Sequence, residues 1–538
     1  MFVTIYIVIQ KVKSFGLDGI DGYIVDVEVD VGRGLPSYTL VGLPDASVKE
    51  SKERVQSAIK NSGYQFPISK VVINLAPAEM RKEGAIYDVA IAVGILAANE
   101  DFEDELHNVE SNTYIGELGL DGKVRRVNGV LPILLSAIQL GIKKVIIPYD
   151  NAKEASFVEG IEVFAAQTLT QIVDFLRGDE EAIKKVAPNS FERIKSEITY
   201  SEDLKFVKGQ HIAKRALEIA AAGGHNILLI GPPGSGKTML AKCLPTIMPD
   251  LTVAESFETT KIHSISGVLE DGLVIKRPFR SPHHTASRVA LVGGGTKSMP
   301  GEISLAHNGV LFLDEIPEYP RSTLEVLRQP LEDNRITVSR VHATVDYPAS
   351  FTMIASMNPC PCGHYGSRTQ KCSCSSTVRH NYLRKLSGPL MDRIDLHIEA
   401  DSITYGDLSS TTTHEPSSDV KARVEAARAI QRERLAVTKR DTLSCHCEAQ
   451  PRQSHGKNVI HCNAKMTQPQ VKKFCALDTA GEKVLRDAFE KLQLSARAYS
   501  RILKVARTIA DLDNSTDIQA EHVTEAVGYR SLDRKYTV

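Results

Sequence analysis

Residues 226–238 read NILLIGPPGSGKT: an apolar run, a loop with glycine at 231, 234 and 236, then Lys237 and Thr238. A short apolar run that ends at glycine reads as a buried strand of a parallel sheet covered on both faces. The residues from Lys237 onward continue as a helix, so the loop joins strand to helix, which is the setting that G-x-x-x-x-G-K-[ST] requires. Glycines there let backbone N–H groups converge on phosphate oxygens, and the helix start adds partial positive charge. Lys237 then neutralises the outer phosphates and Thr238 ligates Mg²⁺. Gly231, Pro232, Pro233, Gly234, Ser235, Gly236, Lys237 and Thr238 are therefore the expected nucleotide-binding residues, and the fold class around them is α/β.

Working outward, HIAKRALEIAAAG (211–223) predicts a helix before this strand, and GVLFLDE (309–315) and SFTMIASMN (350–358) predict further strands of the same sheet. GVLFLDE ends in two carboxylates: Asp314 suits the water shell of the metal and Glu315 suits orientation of an attacking water. Many buried strands end in an acid, so the phosphate loop upstream is what gives this pair its meaning. Asn358 ends the next strand and either senses the outer phosphate or is an ordinary hydrogen-bonded strand-end amide.

The chain of 538 residues is too long for one core, and the organisation expected is 1–177, an α+β domain; 178–202, a polar linker; 203–400, the nucleotide-binding core; and 401–538, a helical lid. In the first domain IVDVEVDV and KVVINLAP predict strands, 47–61 and DVAIAVGILAA predict helices, and KKVIIPYD predicts a later strand. MFVTIYIVIQKVKSFG predicts a first strand; it has no preceding basic region, and Lys11 and Lys13 end its apolar run too early for a membrane helix, so the expectation is a cytoplasmic protein with no membrane partner. A charged helix is expected over about 419–435, and helices again from about Ala480. Lys+Arg 65 against Asp+Glu 66 points to no partner by net charge, yet does not exclude nucleic acid, since a ring can gather its cations on one surface.

Long stretches in one order carry a resemblance over nearly the whole chain: VGLPDASVKESKERVQSAIKNSGY, INLAPAEMRKEG, PHHTAS, PGEISLAHNGVLFLDEIPEY, LRQPLED, NPCPCG, SGPLMDRIDLHIE and SARAYSRILKVARTIADL. The sequence resembles the magnesium-chelatase-like AAA+ family of bacterial ComM and YifB proteins. The resemblance implies ATP and Mg²⁺, a homo-hexameric ring with ATP between protomers, and DNA as partner, ComM members being branch-migration helicases in DNA uptake. It also implies Asn358 as first sensor, Arg393 as an arginine finger acting on a neighbouring subunit, and Arg497 as second sensor. A structural ion pair of Arg393 with Asp392 or Asp395 is the plainer reading of that arginine, and Arg501 is either a neighbour of the sensor or a surface charge. The alternative function is a magnesium-chelatase-type remodelling ATPase acting on a protein partner. In the last helices Leu494, Ala498, Ile502, Val505 and Ile509 make an apolar stripe at helical spacing.

INLAPAEMRKEGAIYDVAIAVGIL and IGELGLDGKVRRVNGVLPILLSA resemble the proteolytic domain of Lon-type proteases. A serine activated by a lysine is needed for that chemistry. No Ser occurs from Glu83 to Val89, and Val130, Leu131 and Ile133 follow Asn128, so a non-proteolytic domain is expected. NPCPCGHYGSRTQKCSC places Cys360, Cys362, Cys372 and Cys374 as two C-x-C pairs, which can surround one Zn²⁺ or remain thiols in a reduced compartment. Cys445, His446, Cys447, His455, His461 and Cys462 form a second group, read as an incidental polar insertion or a second zinc site. Two segments are candidate DNA loops: 261–288, with Lys276, Arg277, Arg280 and Arg288, and the hairpin at 332–348, with Arg335 and Arg340. His283 and His284 read as structural histidines.

Overall fold

The computed structural model describes residues 9–99, 106–270, 272–295, 298–339, 344–366, 370–400, 414–442 and 462–532. The N-terminal domain is built on β1 (Gln10–Asp18), β2 (Asp21–Gly32), β3 (Ser37–Val41), β4 (Lys70–Ala76), β5 (Thr113–Tyr114), β8 (Lys144–Pro148), β9 (Glu162–Ala166) and β10 (Lys184–Lys185), in the order β10-β9-β8-β5-β1-β2-β4-β3, with β6 (Glu117–Leu118) and β7 (Val124–Arg125) as a separate ribbon. Strand β2 shows why the sheet forms where the alternation predicts. Val25, Val27 and Val29 are fully buried, whereas Asp26, Glu28 and Asp30 point to the other face. Helices Asp88–Ala97 and Val130–Gln139 pack on this sheet, and helix Ser51–Asn61 packs on Asp88–Ala97 and the β6 ribbon. The first strand begins at Gln10, and residues 1–8 lie outside the described residues. Strand β10 falls within the expected linker, because Ile183 beside it is anchored in the N-terminal core.

The second sheet has five parallel strands in the order β12-β15-β18-β11-β19: β11 (Ile227–Ile230), β12 (Phe279–Arg280), β15 (Val310–Leu313), β18 (Thr352–Met357) and β19 (Leu396–Glu399). Every residue of β11, β15 and β18 is buried, as strands covered on both faces require. A two-residue ribbon pairs β13 (Gly293–Gly294) with β14 (Met299–Pro300), and β16 (Arg335–Ser339) pairs with β17 (Thr344–Pro348) as the expected hairpin. Helix His211–Gly223 lies where the sequence predicts it. The C-terminal helices Ser417–Thr442, Thr479–Leu492, Ala496–Leu512 and Ala520–Gly528 share one core with the inner face of the sheet. Ser495 caps the third of these by accepting from Ala498 N, and Ala498, Ile502, Val505 and Ile509 of the expected stripe are buried.

The two domains touch through the helix Val253–Ile265. Ser264 Oγ accepts from Gly129 N at 3.0 Å and donates to the buried Glu154, while Arg126 reaches Leu269 O at 2.7 Å. Among the described residues no helix is long and apolar enough to cross a membrane.

Candidate active site

Strand order assembles the site. Because β18 lies between β11 and β15, Asn358 at its end stands between the loop that follows β11 and the acids that follow β15. Lys237 opens the helix Lys237–Ile247 after Gly236, which takes φ 82, a conformation that favours glycine. Its ammonium donates to Gly231 O at 2.8 Å, Pro232 O at 2.9 Å and Asn358 Oδ1 at 3.3 Å. Burial pulls the Lys237 ammonium below the usual lysine range, and the Asp314 and Glu315 carboxylates oppose that shift. Thr238 Oγ1 donates to Asp314 Oδ2 at 3.2 Å, and Ser356 Oγ donates to Asp314 Oδ1. The following backbone N–H, that of Glu315, is held by Asp314 Oδ1 at 3.1 Å and Ser356 Oγ at 3.3 Å. Glu315 itself is exposed and left-handed at φ 51, so its side chain leaves the strand direction, and His284 Nδ1 lies 4.0 Å from its Oε2.

These groups fit a magnesium nucleotide. The Ser235 hydroxyl in the loop is buried without a hydrogen-bond partner, and a Cβ on Gly234 would meet open space, so the loop presents a donor and a clear cradle. Thr238 and Asp314 offer paired oxygens suited to Mg²⁺, which would neutralise phosphate charge there. Gly231 has a packing reason as well: a Cβ would stand 2.4 Å from Ala400 O on the neighbouring strand end.

Arg393 and Arg497, the expected finger and second sensor, both lie against Glu332. Arg393 is only 2% exposed, donates to Pro389 O and pairs with Glu332 rather than with Asp392 or Asp395. Arg497 is 57% exposed and 4.0 Å from the same Glu332. Asp395 is taken by Arg501, by His225 at 3.3 Å and by Asn226 N at 3.1 Å; Arg501 also donates to Arg393 O at 2.9 Å, so it is a buried-network residue and not a surface charge.

Two of the proposed DNA-loop cations are taken up internally. Arg277 donates to Asn308 O at 2.7 Å and to Asp250 O at 3.2 Å, and Arg280 makes a bidentate pair with Glu302 at 2.7 Å on both arms. Lys276, Arg288 and Arg335 are exposed, and Arg340 lies outside the described residues. His283 bonds Thr285 at 2.8 Å and its ring centre lies 4.1 Å from that of His284, which stands by Glu315, a proximity that the pair HH alone did not signal. Ser356 was also missed, although it is the polar residue of an otherwise apolar strand, MIASM, and that exception was its signal. The sulfurs of Cys360, Cys362, Cys372 and Cys374 lie within 4.8 Å of one another and can hold a metal ion. Of the second cysteine group, Cys445, His446, Cys447, His455 and His461 lie outside the described residues, and Cys462 is buried.

In the N-terminal domain the two segments that would carry a serine and lysine run largely into the core. Tyr87 and Val89, and Val130, Leu131 and Ile133, are buried, and the buried Lys82 donates to the carbonyls of Pro77 and Met80.

A parallel sheet whose central strands bring a phosphate loop, an acid pair and a polar amide together at their carboxyl ends, with a helical C-terminal part, defines a nucleotide-binding protein of the AAA+ class. The family model described as "Magnesium chelatase, subunit ChlI" matches residues 203–408, "Subunit ChlI of Mg-chelatase" matches 27–151, and "Magnesium chelatase, subunit ChlI C-terminal" matches 414–530. The chain is 43% identical to the YifB protein of Escherichia coli over 518 residues, covering 96% of each. It is 42% identical over 523 residues to competence protein ComM of Haemophilus influenzae, again covering 96% of each. Lon protease 2 of Bacillus subtilis matches at 31% over 130 residues, 23% of this chain and 22% of that protein, in keeping with the Lon-like N-terminal fold. The chain belongs to the magnesium-chelatase-like AAA+ family that includes ComM and YifB.

Proposed function

We propose that the protein is an ATP-hydrolysing motor that acts on DNA as a hexameric ring, migrating branch points during recombination of DNA taken up by the cell. The observation that carries the hydrolytic part is the convergence of Lys237, Thr238, Asp314, Glu315 and Asn358 at the carboxyl ends of the central strands. The relative named a competence protein, similar over 96% of both chains, supports the DNA part. In this reading Lys237 binds the outer phosphates, Glu315 orients the attacking water and accepts its proton, and Asn358 holds the phosphate end in line. Arg393 of a neighbouring subunit stabilises charge in the transition state, and Arg497 reports nucleotide to the lid. Exposed Lys276, Arg288 and Arg335 grip phosphates without reading sequence. The N-terminal domain contributes contact or assembly rather than peptide cleavage.

Steady-state ATPase with single-stranded, duplex and four-way-junction DNA, with Glu315→Gln as the blank, tests this. Stimulation is expected, strongest with junctions. Hydrolysis indifferent to every DNA would remove DNA as substrate and favour the second reading, a chelatase-type remodeller of a protein partner, which the magnesium-chelatase family models support.

A further inference from the structure

The four cysteines that follow Asn358 bring their sulfurs within 4.8 Å of one another, a spacing that suits a shared metal ion. Cys360 Sγ is 3.3 Å from Cys362 Sγ and 3.7 Å from Cys372 Sγ, and Cys362 and Cys372 are 3.6 Å apart. A disulfide would bring two sulfurs to about 2.05 Å and leave the other pair apart. Four sulfurs at about 2.3 Å from one Zn²⁺ at tetrahedral angles stand about 3.8 Å from each other, close to the three separations among Cys360, Cys362 and Cys372, and Cys374 Sγ lies within 4.8 Å of them. Backbone also supports the cluster: the N–H of Cys374 reaches Cys372 Sγ at 3.4 Å. Such a donor stabilises a thiolate and orients it, the usual support around a metal's ligands. Arg379 closes the outside, donating to Cys374 O at 2.7 Å while its guanidinium lies 4.4 Å from the centre of the Tyr365 ring.

The position of the cluster matters as much as its chemistry. Its first ligand is two residues after Asn358, which accepts from Lys237. Gly363, between the two C-x-C pairs, has φ +81, and a Cβ on it would stand 2.5 Å from Pro233 Cδ, so its backbone lies directly against the phosphate loop. The segment 358–363 therefore touches the loop at two points, and whatever fixes its shape fixes the loop between Pro233 and Lys237.

We propose that Cys360, Cys362, Cys372 and Cys374 bind one Zn²⁺, and that the metal-closed segment braces the phosphate loop through Asn358 and Gly363, so that zinc occupancy tunes nucleotide affinity. The affinity half rests on the nucleotide site described above but not on hydrolysis or on DNA. Oxidation that joins the thiols pairwise, with a peroxide reduced to water as two thiols lose two protons and two electrons, would release the metal and slacken the brace.

Metal analysis of the full chain purified without chelator is expected to find one zinc per chain, and cobalt substitution is expected to give the absorption bands of tetrahedral thiolate coordination. Cys372→Ser with Cys374→Ser should lose both. Zinc removal by a zinc-selective chelator, with Mg²⁺ kept in the buffer, should weaken binding of a fluorescent ATP analogue on the order of tenfold, and added zinc should restore it. Substoichiometric metal, or zinc retained in the double variant, overturns the site. Zinc present but analogue binding unchanged on its removal overturns the brace. A folding failure of the double variant does not obscure the result, because the chelation experiment uses the unaltered chain. Loss of binding in Lys237→Ala with zinc content unchanged separates failure of the nucleotide site from failure of the metal site.

Discussion

The N-terminal domain and the nucleotide-binding core are both sheets packed against helices, yet they treat the places where chemistry could occur in opposite ways. In the core, polar side chains gather where strands end: Lys237 bonds Asn358, Thr238 and Ser356 both bond Asp314, and Glu315 is left exposed beside them. In the N-terminal domain, the stretches that resemble a protease's working segments are filled by Tyr87, Val89, Val130, Leu131 and Ile133, all buried. One domain presents exposed polar groups at its strand ends, and the other buries mainly apolar side chains in the corresponding stretches, with Asp88 held internally by Arg54. The contrast teaches that likeness of fold carries no chemistry by itself, and that the identity of a few side chains at strand ends and helix starts decides it.

The sharpest way to break this contrast is to remove each side's candidate chemistry. Lys237→Ala is expected to abolish nucleotide binding, and Glu315→Gln to bind ATP while turnover falls by about a hundredfold or more, the scale of losing one positioned catalytic group. Phosphate release and binding of a fluorescent nucleotide read the two steps separately. No peptide cleavage should accompany ATP hydrolysis in the unaltered chain. A peptidase activity abolished by a substitution within residues 1–177 would erase the contrast, and normal turnover by Glu315→Gln would remove the role given to that carboxylate.

Arg393 sharpens the comparison from inside the core. Its guanidinium is buried and paired with Glu332, as a structural arginine would be, whereas a finger must reach a neighbouring subunit's phosphate. The expected outcome for Arg393→Ala is ATP binding retained and hydrolysis reduced by about a thousandfold. Glu332→Gln should leave hydrolysis intact or raise it by freeing the arginine. Mixing Arg393→Ala chains with Lys237→Ala chains should restore part of the hydrolysis, because an intact finger then faces an intact phosphate loop across some interfaces. A fall in melting temperature with no recovery on mixing would make Arg393 a structural residue.

What could be read in the sequence was local and periodic. The alternation of Val25, Val27 and Val29 with acids gave β2, the apolar runs gave β11, β15 and β18, and GPPGSGKT placed its loop to the residue. What escaped was contact between distant residues, which leaves no period. Glu332 as partner of Arg393, Gly363 against Pro233 and His284 beside Glu315 join positions dozens to more than a hundred residues apart. Arg277 and Arg280 looked like free cations because charge is visible in a sequence and burial against Asn308 O or Glu302 is not. Two-residue strands such as β5 and β10 carry too few residues to show alternation, which is why β10 was read as linker.

The smallest effect separates the two regions by the sign of a pH dependence. Asp88 in the N-terminal domain is buried, and burial pushes its carboxyl up to about 6, even though Arg54 bonds it at 2.7 and 3.0 Å and Leu118 N at 3.3 Å. Asp395 in the core is as deeply buried, and burial would raise it too. There the Arg501 guanidinium and His225 overcome the penalty and hold the carboxyl well below its usual range. A raised native value means that the folded state binds the proton more tightly than the unfolded chain. The Asp88 contribution is therefore complete below the unfolded value of 3.8 and is lost as pH rises through about 6. The Asp395 contribution runs the other way, present above its unfolded value and lost on acidification. Hydrogen-exchange protection of helix Asp88–Ala97, corrected for intrinsic rates, should drop by about 1–3 kcal/mol as pH rises through that window. Asp88→Asn should flatten the slope. Strand Leu396–Glu399 should show no such loss with rising pH. Protection falling in both segments together would mean that a single cooperative unit, rather than two separately tuned carboxylates, sets the response.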